Sequence, residues 1–551
     1  MSSSVGIREV VGERSLLSQS WKALTCLLFL LYLIVILCTF LDYGITWDEY
    51  LQSTYGDYII RWYTSFFADR SALTYKNLEY YGGFFDVIGQ LASRISPVGT
   101  YETRHLVNAL FGLLGVIVVY SIGNYLGGAF AGFLSALFLL LTPRFYGDAF
   151  NNPKDIPFAC LFLLSMYYLI KAVRYLPSIP GGLSWKLGTA VGLTLGIRVG
   201  GVLLIGYLGL AFVLWTIRQC ILQHWEFSRA ASNLKSAWKQ FAVAALKIGA
   251  IAYCVMILWW PSAQIQPLYH PWLSLWQASR FEFYGDVLFE GKMIPAMSVP
   301  RYYVSKWFLI TLPEFYFIGL TVSLVLTARY FVRFKRTFLQ TDPIVEYALL
   351  CLWIVLPVLL AAVIGATAYD GLRHFLFIIP PLAIITGIGI AKIWQNAQFK
   401  IVSAGVIGLT VFSMIVTAVD MIQLHPYQYI FFNRVFGKGV REAAKSFETE
   451  YWGSSYKEGA EWIKANYSMP SDNGKITVVS CSPFLSTTYY LPKDRFTYVS
   501  IRNYRHTPAR VPTLFLATTR WNCNQELVGR VVHVVARKGT PLLYVKEIAN
   551  D

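Results

Sequence analysis

The chain is poor in charge, with only 14% of its 551 residues being Asp, Glu, Lys or Arg, and that scarcity argues against a soluble globular protein of this length. Catalytic signatures are missing as well. There is no Walker loop, no dinucleotide glycine fingerprint after a strand, no His-Glu-x-x-His and no paired-cysteine metal spacing. ATP hydrolysis, zinc proteolysis and sugar-nucleotide chemistry on a Rossmann domain are therefore disfavoured, and the energy for any reaction has to arrive with the substrate. No internal repeat, heptad array or low-complexity segment is present, and no Ala-x-Ala-like cleavage site follows the first apolar run.

What fills the sequence is apolar: 56% hydrophobic and 16% aromatic residues, gathered into runs long enough to cross a bilayer core of about 30 Å. Spans are expected at 21–41, 105–124, 127–142, 156–173, 186–197, 199–217, 241–260, 311–329, 344–366, 374–391 and 401–420, eleven in all. The pair flanking Arg198 reads equally as one long helix. The expected fold is a polytopic α-helical membrane protein with a small C-terminal α/β domain outside the membrane. Its parts are a cytoplasmic segment 1–20, a membrane region 21–420 with a first outer loop 42–104 and a second 143–156, and an outer domain 421–551. In that domain 456–466 has helical character, while 476–481, 496–500, 513–519, 531–536 and 541–545 read as short strands. Cys481 and Cys523 are its only cysteines, and their pairing is left open.

Basic residues accumulate in alternate loops, which sets the N-terminus inside and places Asp48, Asp155, Arg373 and the C-terminal region outside the cytoplasm. The net charge of +16 is thus largely a topology signal, and a nucleic-acid partner is not expected. Yet the outer loops also hold Lys76, Arg104, Arg144, Lys154, Arg198, Arg280, Lys292, Arg301, Lys306 and Arg373. An anionic substrate at the outer face, such as a lipid phosphate, would account for some of them, and phospholipid headgroups for the rest.

Asp48-Glu49 lies just past the first apolar run, and Asp155 opens the fourth span after Asn152-Pro153-Lys154. Acids at a membrane boundary can serve as a base, orient a hydroxyl or share a divalent ion, for which Asp48 and Asp155 are the candidate ligands. No other cofactor is implied. Asp155 also fits a plain helix-start acid favoured by the dipole. Arg373, in Tyr369-Asp370-Gly371-Leu372-Arg373-His374-Phe375, enters a late span, and the tandem prolines Pro380-Pro381 are expected to kink that helix and open space beside it.

These stretches, with His425-Pro426-Tyr427-Gln428-Tyr429 and Tyr451-Trp452-Gly453-Ser454-Ser455-Tyr456 further on, resemble the GT-C superfamily of polyprenyl-phosphate-sugar-dependent glycosyltransferases. Within it the likeness is to family 39, the dolichyl-phosphate-mannose protein mannosyltransferases and bacterial aminoarabinose transferases. The resemblance implies sugar transfer from a lipid phosphate to a lipid, glycan or protein acceptor on the extracytoplasmic face of, most simply, a bacterial inner membrane. It implies Asp48 as general base, Glu49 and Asp155 as positioning acids, and Arg373 with Lys76 or Arg198 as donor-phosphate ligands. The large inserted loop domain of eukaryotic members is missing, which points to an envelope acceptor. A secondary transporter for an anionic or lipid-linked substrate is the alternative from another class.

Overall fold

A computed structural model describes residues 3–222, 227–334, 342–395, 400–467, 475–481, 484–506 and 513–548. Among the described residues nine helices are long and apolar enough to cross a membrane, from Ser18–Thr39 to Lys400–Leu424, and the bent pair Ala129–Leu140 plus Pro143–Asn151 makes a tenth if it is one span. The chain is a multi-pass membrane protein. Lys335 and Arg336, two of the inner-loop cations, lie outside the described residues.

The expected count of eleven is corrected at two places, and length is the reason at both. The run at 186–197 falls in helix Gly181–Leu195, whose 15 residues rise only about 22 Å and cannot cross the bilayer core alone. The run at 127–142 becomes Ala129–Leu140, which breaks at Thr142-Pro143 and turns by 64° into Pro143–Asn151. Pro143 supplies the preset φ of a helix start and has no N–H to lose there, so much of the expected second outer loop is a buried helix. The bent pair sits deep because small residues let backbones touch. A Cβ on Gly132 would stand 2.8 Å from the Tyr120 carbonyl, and one on Gly387 would stand 2.8 Å from the Ser135 nitrogen.

Pro380 and Pro381 are also corrected. They occupy the first turn of helix Ile379–Trp394, after a 3-10 stretch Arg373–Ile378, and so begin the α-helix instead of kinking one.

The first outer loop folds into two helices, Glu49–Thr64 and Phe84–Ile95, tied to the outer end of Thr100–Gly127 by buried charge. Arg104 Nη2 donates to Asp86 Oδ1 at 3.0 Å, and His105 Nε2 meets Glu49 Oε1 at 2.9 Å. A hairpin the sequence reading did not anticipate, β1 Asp286–Phe289 and β2 Lys292–Pro295, turns through Glu290 and Gly291, both at positive φ.

Beyond Leu424 the chain builds a five-stranded sheet: β3 Ile476–Ser480, β4 Phe496–Ser500, β5 Thr513–Thr518, β6 Arg530–Arg537 and β7 Thr540–Ile548, in the order β4-β3-β5-β7-β6. β3 pairs in parallel with β4 and β5, while β7 runs antiparallel to β5 and β6. Strands β3 and β5 are buried along their whole length, which is why they read as continuous apolar runs and not as alternation. Helix Tyr456–Asn466 packs on the sheet, and Cys481 is bonded to Cys523.

Breaking the Arg104–Asp86 pair should be costly, because Arg104→Met strands a carboxylate that burial already disfavours in its charged form. A loss of about 3–5 kcal/mol is expected, seen as a lower unfolding midpoint in detergent, with Asp86→Asn restoring part of it in the double variant. An unchanged midpoint for Arg104→Met would contradict this.

Candidate active site

Two acid–arginine pairs form the site, each assembled from distant stretches. Asp48 precedes the first turn of Glu49–Thr64 and accepts from Arg373 Nη1 at 3.2 Å. Asp155, at the start of Asp155–Val173, forms an ion pair with Arg198, Oδ1 to Nη1 at 2.6 Å, and accepts a hydrogen bond at Oδ2 from Asn152 Nδ2 at 2.9 Å. Arg198 is presented in extended conformation at the break between Gly181–Leu195 and the 3-10 turn Val199–Val202, the same break that divides the expected long helix.

The Tyr81 phenol is raised mainly by burial, and Arg198, Asp48, Arg373 and Asp155 all act on it, so the four charges lie within electrostatic range of one ring. The Lys154 ammonium lies over that ring at 3.5 Å from its centre. Burial pulls the Lys154 ammonium down to about 8, with Arg198 pulling the same way and Asp86, Asp48 and Asp155 opposing. Asp48 is the open member, with 41% of its side chain exposed against 8% for Arg373, so a ligand can approach the carboxylate while the guanidinium stays anchored.

That anchor begins with the neighbouring turn and is completed by the C-terminal region. Asp370 and Gly371 both adopt positive φ, and the turn they make sets Asp370 Oδ2 3.4 Å from Arg373 Nη1. Asp370 Oδ1 in turn accepts from Arg520 Nη2 at 2.6 Å, with all three side chains buried. Arg373 also stacks on Tyr369 and Trp452, at 4.7 and 4.8 Å, and Trp452 Nε1 donates to Asp148 Oδ1 at 2.9 Å. Arg520 reaches the Tyr451 carbonyl and stacks on Trp521 at 4.3 Å. Behind the turn, buried Arg144 is held between the rings of Trp307 and Phe432, at 4.9 and 5.1 Å.

Of the residues singled out in the sequence, the structure brings together Asp48, Asp155, Arg198 and Arg373. Glu49 is not in this group: it is fully buried, bound to His105 and to the Thr46 backbone N–H at 2.7 Å, and it fixes the helix start. Lys76 is also corrected, being exposed on a left-handed turn with its ammonium over Tyr75 at 5.9 Å and, among the described residues, showing no ion pair with the four charges. Lys154 occupies the place assigned to it. The donor set does not suit a divalent ion either, since Asp48 and Asp155 each face an arginine, and among the described residues no three His, Cys, Asp or Glu side chains group as metal ligands. Sequence reading gave no site role to Lys154, Tyr81, Asp370, Trp452 or Arg520, although Lys154 was among the outer cations and Asp370 and Trp452 lie in the stretches that carry the resemblance. Lys154, beside Asp155 in the same loop, carried the strongest signal.

No curated protein matches the chain. Among solved structures it is similar to ArnT from Cupriavidus metallidurans bound to undecaprenyl phosphate, at 14% identity, covering 96% of this chain and 98% of that one with a TM-score of 0.48. It is also similar to the apo Archaeoglobus fulgidus oligosaccharyltransferase, at 13% identity, 86% of this chain and 66% of that one, TM-score 0.43. For the archaeal oligosaccharyltransferase AglB with an inhibitory peptide and a dolichol-phosphate the figures are 13%, 81%, 59% and 0.42. Residues 90–259 match the sequence model of the family described as dolichyl-phosphate-mannose-protein mannosyltransferase, a stretch that holds Lys154, Asp155 and Arg198 and bears out the resemblance to GT-C glycosyltransferases.

Proposed function

We propose that this chain transfers a sugar from a polyprenyl-phosphate donor to an envelope acceptor on the extracytoplasmic face of a bacterial inner membrane. In this reading 21–420 is the catalytic membrane region and 421–551 the outer unit that braces it. The observation that carries it is the convergence of Asp48, Asp155, Arg198, Arg373 and Lys154 around Tyr81. With Asp370 and its partner Arg520 counted, four cations stand against three carboxylates, which leaves the site one negative charge short, and a lipid phosphate supplies it. The family match over 90–259 supports the reaction class. The bias of basic residues toward the opposite loops supports the face, as does the Cys481–Cys523 bond, which suits an oxidising compartment.

The chemistry follows from who holds Arg373. Before donor binds, Arg373 is shared between Asp48 and Asp370. The donor phosphate competes for its guanidinium and, with Arg198 and Lys154, neutralises the charge that builds on the leaving phosphate. Asp48, released from its ion pair, is then open to the acceptor hydroxyl. The acceptor hydroxyl oxygen then bonds to the anomeric carbon, the bond from that carbon to the phosphate oxygen breaks with its electron pair going to the phosphate, and the hydroxyl proton passes to Asp48. Asp155 keeps Arg198 in place.

An alternating-access transporter would carry its coupling charges near mid-span, whereas Asp48, Asp155 and Arg373 all stand at helix starts.

Asp48→Asn should lower turnover of a polyprenyl-phosphate sugar by roughly 100- to 10,000-fold with normal membrane insertion; retained turnover would remove Asp48 as the base. The low Lys154 value adds a pH signature: the ammonium is charged below about pH 8 and neutral above it, so donor affinity should fall as pH rises through that range. Lys154→Arg, charged throughout, should abolish this alkaline loss in a titration of donor KM, and an unaltered profile would mean that another group titrates.

A further inference from the structure

A second cationic site lies away from the acid–arginine pairs, where the last apolar helix leaves the membrane region. A cavity of about 120 Å³ opens there between the end of Lys400–Leu424 and the C-terminal unit, walled by Arg434, Lys438, Arg441 and Lys538 against a single carboxylate, Asp420. Asp420 is buried and already engages two of the four: Arg434 Nη2 at 2.9 Å, and Lys538 Nζ. Among the described residues neither Lys438 nor Arg441 makes a side-chain hydrogen bond or ion pair, and both act on Glu442 only at range. Of the flanking acids, Glu442 is paired with Lys445, and Glu314 accepts from the Arg434 backbone N–H. Four cations facing one acid repel each other unless an anion joins them.

Exposed apolar side chains flank this crevice along the chain. Phe412, Ile415, Val419 and Ile422 are exposed along one face of Lys400–Leu424, at helical spacing, and the stripe ends at the same last turn of the helix whose other face lends Asp420 and Leu424 to the cavity wall. Val435 and Phe436, next to Arg434, are exposed too. An apolar ribbon that ends in a cluster of guanidinium and ammonium groups matches an amphiphile with an anionic head.

We propose that this cavity binds the phosphate headgroup of an anionic bilayer lipid whose acyl chains lie along the exposed face of Lys400–Leu424. Lys438 and Arg441 hold the phosphate, while Asp420 keeps Arg434 and Lys538 at the rim. The lipid joins the last span to the C-terminal unit, since its phosphate ligands come from the unit and its acyl chains lie on the span. The proposal does not depend on the transfer reaction.

The test uses the purified full chain in detergent, offered phosphatidylglycerol and phosphatidylcholine with identical acyl chains, with retained lipid counted by native mass spectrometry. The expected result is preferential retention of phosphatidylglycerol, lowered roughly 10- to 30-fold by Lys438→Gln with Arg441→Gln. The preference should be unchanged by Lys292→Gln with Arg301→Gln, two exposed cations elsewhere. Ile415→Ser with Ile422→Ser should weaken lipid retention without altering binding of inorganic phosphate. Equal retention of the two lipids, or no change in the Lys438/Arg441 variant, would overturn the site. Full displacement of the lipid by millimolar inorganic phosphate, together with no effect of the isoleucine changes, would make a free anion the ligand and overturn the lipid assignment.

Discussion

Arg373 is the charge around which the site is arranged, because it is shared between two carboxylates. Asp370 holds it from behind and Asp48 from the open side. A buried guanidinium without partners is costly, so some anion must always face it. With Asp370 locked to Arg520, the position open to exchange is the one Asp48 occupies, where a substrate anion can enter. The proposed base and the proposed phosphate ligand are thus controlled by one interaction: binding the second releases the first.

This arrangement explains why a membrane enzyme of this kind would carry a folded unit after its last span. Arg520 and Trp452 belong to that unit, yet they brace Arg373 directly, one through Asp370 and one by stacking. Trp452 also reaches Asp148 on the bent helix Pro143–Asn151. The Trp47 backbone N–H donates to the Trp452 carbonyl at 3.2 Å, which ties the approach to Asp48 to the same segment. The C-terminal unit is therefore one wall of the site. Its sheet, with β3 and β5 buried throughout, makes a stiff support for that wall.

The apolar helices were legible because a bilayer demands about 20 apolar residues in a row, a signal carried entirely by local composition. Reading failed where local composition is ambiguous. Gly181–Leu195 is apolar but short, and Ala129–Leu140 continues through a proline into a helix that the polar residues Arg144, Asp148 and Asn151 disguise as a loop. In the site, Asp48, Asp155, Arg198 and Arg373 were legible as charges beside apolar runs. Glu49 and Lys76 carry the same local mark, yet one is used up by His105 and the other points to solvent, and only tertiary packing separates these cases. Arg520 bore no mark, and Trp452 was marked only by the stretch it belongs to, since their partners lie 150 and 304 residues away along the chain.

The most direct test of this account is a cryo-electron-microscopy map of the full chain with undecaprenyl phosphate bound. The account predicts the phosphate within hydrogen-bonding distance of Arg373 and Arg198, beside Lys154, with the Asp48–Arg373 contact opened and the Asp370–Arg520 contact kept. A phosphate bound elsewhere, with Asp48 still paired to Arg373, would contradict it.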